Sequence, residues 1–161
     1  MRLKSKFINF LLYLYMGYGY GIWLIYDDDE LKMEHIGHIT IACFMQKNEA
    51  EKLYNELIKL GNNVGVTING KSEYYRSSFY EHDTNKICSW GYSGMCTKWT
   101  IYKKICERYK CDFSLIPHTS IEYGLYTNLL KPINIKEKNL YCRICCADIR
   151  SDFPVDWKII K

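Results

Sequence analysis

Two short segments of this sequence pair an imidazole with a hydroxyl at the same spacing. Gly37-His38-Ile39-Thr40-Ile41 and Pro117-His118-Thr119-Ser120-Ile121 each place Thr or Ser two residues after a histidine, among apolar neighbours. In a strand, residues i and i+2 point to one face. Each segment would then present a histidine and a hydroxyl side by side, while Ile39, Ile41 and Ile121 turn toward a core. Two such strands brought together would form a pocket of two imidazoles and two hydroxyls. That set suits cleavage of a phosphodiester. One neutral imidazole takes the proton of the attacking hydroxyl, and one protonated imidazole gives a proton to the departing oxygen. Histidine is the side chain whose unperturbed pKa allows both roles near neutral pH. The hydroxyls of Thr40 and Ser120 are placed to hold the non-bridging phosphate oxygens as charge develops. This chemistry requires neither metal nor cofactor, and the sequence shows no obvious carboxylate–histidine ligand cluster.

The other chemically capable residues read as structural. His35 lies three residues before His38, so in a continuous strand it would face the opposite way, as a surface or packing residue. His82 falls in a polar loop. Cys142, Cys145 and Cys146 lack a second cysteine or histidine pair at zinc-binding spacing and are expected to be free core thiols. The acids of Asp27–Glu30 are consecutive, so their side chains diverge and a solvated turn is expected rather than a metal site. No helix start follows the glycines around Tyr18 and Tyr20, which argues against a phosphate loop.

The elements that would position the two motifs are legible as periodic runs. Gly19–Tyr26 and His35–Phe44 read as strands, and Lys47–Leu60 as an amphipathic helix begun by Asn48 and ended by Gly61. Val64–Ile68 is a strand, and Glu73–Glu81 a weaker one. Cys88–Gly94 reads as a loop whose Trp90 and Tyr92 look exposed. Thr97–Tyr109 is a second helix with Trp99, Tyr102, Ile105, Cys106 and Tyr109 on one face. Phe113–Tyr123 is a strand, as are Ile133–Ile135 and Leu140–Cys146. Many strands with two helices that do not strictly alternate indicate an α+β domain.

The 161 residues fit one domain. The formal charge is +4, but Arg2, Lys4 and Lys6 stand in a stretch without acids, so the remainder carries only +1. Long nucleic acids are bound through many phosphate contacts and normally need a strongly basic face. A small charged ligand suits this body better. Several of the eight cysteines sit inside apolar runs and no Asn-x-Ser/Thr acceptor occurs, which favours a reducing, cytoplasmic setting. Residues 1–16 form a basic, apolar leader. Its uncharged stretch is broken by Gly17, Gly19 and Gly21, and Gly21–Tyr26 is claimed by the domain of residues 17–161. What is left is too short to span a bilayer, so no membrane partner is expected, and the domain is expected to be a monomer. A non-catalytic, membrane-attached or zinc-binding interaction protein is the alternative in another class.

The paired motifs His38-Ile39-Thr40-Ile41 and His118-Thr119-Ser120-Ile121 resemble those of the 2H phosphoesterase (LigT-like) superfamily. The similarity extends to the order of elements and covers roughly Gly19–Cys146. Thr119 departs from it, standing where the family usually has an apolar residue. The resemblance implies a two-lobed fold with a pseudo-twofold, antiparallel sheets, outer helices and one motif per lobe in a central cleft. It implies His38, His118, Thr40 and Ser120 as catalytic residues and a substrate with a 2′–5′ linkage or a 2′,3′-cyclic phosphate. Viral LigT-like members act on immune second messengers, and the Lys-, Ile-, Asn- and Tyr-rich composition resembles that of poxvirus proteins. The expected substrate is therefore 2′,3′-cyclic GMP-AMP first and 2′–5′ oligoadenylate second, cleaved to evade host immunity. An RNA-end or tRNA-splicing 2′,3′-cyclic phosphodiesterase is the alternative. Tyr123, Trp90 and Tyr92 are the candidates for stacking on bases.

Overall fold

The computed structural model describes residues 18–76, 87–125, 131–151 and 153–161. The leader of residues 1–16, His82 and the end of the weak Glu73–Glu81 strand lie outside them. Among the described residues the chain is α+β, as expected from the sequence. The strands are β1 (Tyr20–Ile25), β2 (His38–Met45), β3 (Asn63–Arg76), β4 (Ile87–Met95), β5 (Asp112–Phe113), β6 (His118–Leu125), β7 (Lys138–Asp148) and β8 (Lys158–Ile159). Helix α1 (Lys47–Leu57) follows β2, and α2 (Trp99–Cys106) follows β4.

All strand pairs are antiparallel, in the order β1-β2-β6-β4-β3-β7-β8, with β5 added to β2. β7 also pairs with β1, from Tyr20↔Asp148 to Ile25↔Arg143, so six strands return upon themselves. This explains the unbroken apolar run of β1. It has a neighbour on each edge and is buried along its whole length, Ile22 and Leu24 on one face and Trp23 and Ile25 on the other.

The main core joins alternate residues of these strands to the apolar stripes of the helices. Ile39, Ile41, Val64, Val66, Ile68, Ile121, Leu140 and Ile144 meet Ala50, Leu53 and Leu57 of α1 and Trp99, Tyr102 and Cys106 of α2. Burial of each large apolar side chain contributes about 1.5–3 kcal/mol. A smaller cluster of Trp23, Ile25, Cys145 and Ala147 lies on the opposite side, where Trp157 and Ile159 cover it. The seven described cysteines are free thiols, and Cys142, Cys145 and Cys146 are buried, as expected of core thiols.

Several boundaries differ from the sequence reading. Val64–Ile68 and the described part of Glu73–Glu81, as far as Arg76, belong to one long strand, β3, whose pairing with β4 shifts register between Ile68 and Ser72. Gly70 makes the kink with φ +74°, and a Cβ there would lie 2.3 Å from the Ile135 carbonyl oxygen. Ile133–Ile135 is an irregular connection rather than a strand, tied to the kink by the Ile135 N–H donating to Gly70 O at 2.8 Å. Phe113–Tyr123 divides into β5 and β6 on either side of Pro117, whose ring cannot donate to a ladder. Helix α1 is begun by Gln46, not Asn48, and ends in a 3₁₀ turn over Ile58–Leu60, with Gly61 closing it. The acidic run is a turn, as expected: Asp28 accepts the N–H groups of Glu30 and Leu31. It is also anchored, because Lys138 bonds Asp28 and Glu30 at 2.7 and 2.8 Å.

Candidate active site

The two motif strands are neighbours. β2 and β6 meet at the antiparallel pair Ile39↔Thr119, whose side chains enter the main core. That register sets His38 beside Ser120 and Thr40 beside His118, all four turned to the other face. The imidazoles are then diagonal neighbours, with Cα atoms roughly 7–8 Å apart in a pair of this kind, a separation that two side chains can close around one phosphate. Each motif strand also has a second partner. Ile25 and Trp23 of β1 oppose His38 and Thr40, and Gly91 and Ser93 of β4 oppose Ser120 and His118.

Both histidines are held by the same device. His38 Nδ1 donates to the carbonyl oxygen of Ile36 at 2.7 Å, and His118 Nδ1 donates to that of Ile116 at 3.1 Å. A carbonyl only accepts, so each Nδ1 carries the proton. In each neutral ring the remaining nitrogen, Nε2, is therefore the acceptor, able to take a proton from a bound ligand. Ile36 O also accepts from His35 Nδ1 at 3.0 Å.

Their surroundings differ. His38 is 5% exposed and lies flat on Trp23, with ring centroids 3.9 Å apart and planes 16° apart. His35 and Trp157 close its edges at 5.6 and 5.7 Å. Burial pushes the His38 pKa down to about 3, the Ile36 carbonyl opposing and any charge on His35 or His118 adding to the fall. His38 is thus a neutral imidazole at neutral pH. His118 is half-buried and rests against the ring of Tyr75 at 4.5 Å. Ser120 is buried and shares a hydrogen bond of 3.0 Å with Ser89, while Thr40 is half-buried.

The remaining expectations divide. Tyr123 lies by this site, its ring 5.1 Å from His35 and 5.8 Å from Trp157, and burial raises its pKa. Trp90 and Tyr92 are a correction. Cys88–Gly94 is not a loop but part of β4, and the two aromatics are 5% and 2% exposed in the main core, on the far face from the histidines. Trp90 Nε1 donates to Glu122 at 2.7 Å, and Tyr92 donates its hydroxyl to Ile133 O at 2.6 Å. The face of β4 toward the histidines carries Ser89, Gly91 and Ser93. Gly91 is required there, since a Cβ would meet the Thr119 carbonyl oxygen at 1.8 Å. His35 is a packing residue, but it stands beside His38 rather than behind it, because β2 begins only at His38. Thr119, the departure from the family pattern, is fully buried and shares a hydrogen bond of 2.6 Å with the Tyr26 hydroxyl.

Trp23, Tyr75, Ser89 and Trp157 were not singled out by the sequence. Tyr75 and Ser89 had a signal in the alternation of β3 and β4, whereas Trp157 reaches the site from a 3₁₀ turn (Pro154–Asp156) that no period announces. Among the described residues no helix is long and apolar enough to cross a membrane, and no group of three or more His, Cys, Asp or Glu is arranged to hold a metal ion. No family model matches the chain, and no curated protein matches it.

Proposed function

We propose that the chain is a phosphodiesterase of the 2H type that cleaves a 2′–5′-linked nucleotide by two-histidine acid–base catalysis. The observation that carries the reading is the Ile39↔Thr119 register, which gathers both imidazoles and both hydroxyls on one face with each Nδ1 bound to a backbone carbonyl. In this reading β2 and β6 are the motif strands of the two lobes, related by the family's pseudo-twofold.

The buried, neutral His38 is the base and the more open His118 the acid. In a substrate with a 2′–5′ linkage, the neighbouring 3′-hydroxyl gives its proton to His38 Nε2 and its oxygen bonds to phosphorus. The bond from phosphorus to the 5′-oxygen breaks, and His118 supplies the proton to that oxygen. The first product is a 2′,3′-cyclic phosphate. An intramolecular nucleophile has a large effective concentration compared with water. The negative phosphate favours the imidazolium form of a nearby histidine, so substrate arrival raises the basicity of His38 when it is needed. Thr40 and Ser120 donate to the non-bridging oxygens.

The near-neutral body favours a small nucleotide over long RNA, and 2′,3′-cyclic GMP-AMP is the first substrate to try, with 2′–5′ oligoadenylate second. Such an enzyme would act in the cytosol, against a host immune signal if the chain is viral. The test is a parallel digest of 2′,3′-cyclic GMP-AMP, the all-3′–5′ cyclic dinucleotide, 2′–5′ oligoadenylate and 2′,3′-cyclic mononucleotides, with products separated by chromatography. Rapid cleavage of the 2′–5′ bond to a 2′,3′-cyclic phosphate is expected. Equal rates on both cyclic dinucleotides remove linkage selection and favour an RNA-end phosphodiesterase.

A further inference from the structure

The half of the site around His118 contains a group that two-histidine chemistry does not use. Tyr75, from the far part of β3, stands opposite Ser89, which stands opposite Tyr123. Its side chain reaches over the small residues of β4, and its ring lies 4.5 Å from that of His118 at 37°. The Tyr75 hydroxyl is buried and, among the described residues, no group meets it with hydrogen-bond geometry, although the Glu73 side chain lies close by. A buried unpaired hydroxyl costs about 1–3 kcal/mol, and in a folded protein it calls for a physical reason. Burial, followed by the charge and then the side-chain contact of nearby Glu73, raises its pKa, so the hydroxyl keeps its proton. A protonated donor beside one histidine of a phosphate site is suited to an anion that arrives with the substrate.

We infer that Tyr75 is a catalytic residue whose hydroxyl donates to a non-bridging oxygen of the phosphate held between His38 and His118. The inference rests on the phosphodiesterase reading given above. Tyr75 transfers no proton in this role. It stabilises the charge that grows on the phosphorane oxygens, beside the hydroxyls of Thr40 and Ser120.

The test is Tyr75→Phe, which keeps the ring against His118 and removes only the donor. Its melting temperature should equal or exceed the wild-type value, because the lost hydroxyl meets no hydrogen-bond partner among the described residues. On 2′,3′-cyclic GMP-AMP, kcat should fall about 100- to 1,000-fold, the range for one oxyanion donor, with KM within about threefold. The rate difference between the Rp and Sp phosphorothioate isomers at the 2′–5′ bond should shrink, which a packing role would not cause. Inorganic phosphate, titrated calorimetrically, should bind the variant at least about fivefold more weakly. A variant with kcat, isomer preference and phosphate affinity unchanged overturns the role of Tyr75, while the two-histidine reading stands if His38→Ala and His118→Ala are inactive. A wild-type protein that cleaves no nucleotide yet loses phosphate affinity on Tyr75→Phe overturns the phosphodiesterase reading and supports the phosphate contact.

Discussion

Replacing His38 by Gln should change how stability responds to acid. The unfolded chain takes up a proton on His38 as pH falls through the ordinary value of 6.5, whereas the folded protein does so only near about 3. Between these values the unfolded state binds more protons, so stability is fully present above about 6.5 and is lost as pH falls. With 1.36 kcal/mol per tenfold change in proton affinity, this one residue should remove ~2 kcal/mol of wild-type stability between pH 7.5 and pH 5. In a domain of this size that corresponds to roughly 4–8 °C of melting temperature. His35, whose pKa burial also lowers, titrates in both proteins and largely cancels in the comparison. The assay is urea or thermal unfolding of wild type and His38→Gln at both pH values. The variant should be less acid-sensitive by the stated amount. Parallel losses in the two proteins would show that His38 is not held neutral in a dry site, and the base assignment would lose its support.

Other consequences concern the core beneath the site. Thr119→Val should destabilise by about 1–3 kcal/mol by leaving the Tyr26 hydroxyl buried and unpaired. The double variant with Tyr26→Phe should recover much of that loss in a double-mutant cycle; strictly additive losses would contradict the pairing. Trp90→Phe and Tyr92→Phe should lower the melting temperature while KM stays within about twofold, as expected of residues that touch no substrate. A large KM increase with unchanged stability would return them to the binding surface.

The motif strands were legible because period-2 alternation of isoleucine with His, Thr and Ser states which face is wet. The helices were legible because Leu53, Leu57, Trp99, Tyr102 and Cys106 recur at helical spacing. β4 was hidden although it alternates equally well. Its inner residues are Trp90 and Tyr92, and its outer ones are Ser89, Gly91 and Ser93, small because Tyr75 and β6 approach closely there, so the segment has the composition of a loop. The kink at Gly70 concealed that Tyr75 continues the strand of Val64. Trp23 was visible only as part of an apolar run; that it would lie under His38 depends on the β1–β2 register. Neither that register nor the closure of β1 on β7 leaves any local mark in the sequence, because both join residues far apart in the chain.

The central claim is that two histidines on adjacent strands cut one phosphodiester. It is tested most directly by single-turnover cleavage of 2′,3′-cyclic GMP-AMP in EDTA by wild type, His38→Ala and His118→Ala. The wild type should retain its rate in the chelator, and each variant should lose at least about a hundredfold, as for removal of a general acid or base. Thr40→Ala and Ser120→Ala should lose less. Either histidine variant cutting within about threefold of wild type would contradict the account, as would a wild-type rate abolished by EDTA and restored by zinc or manganese.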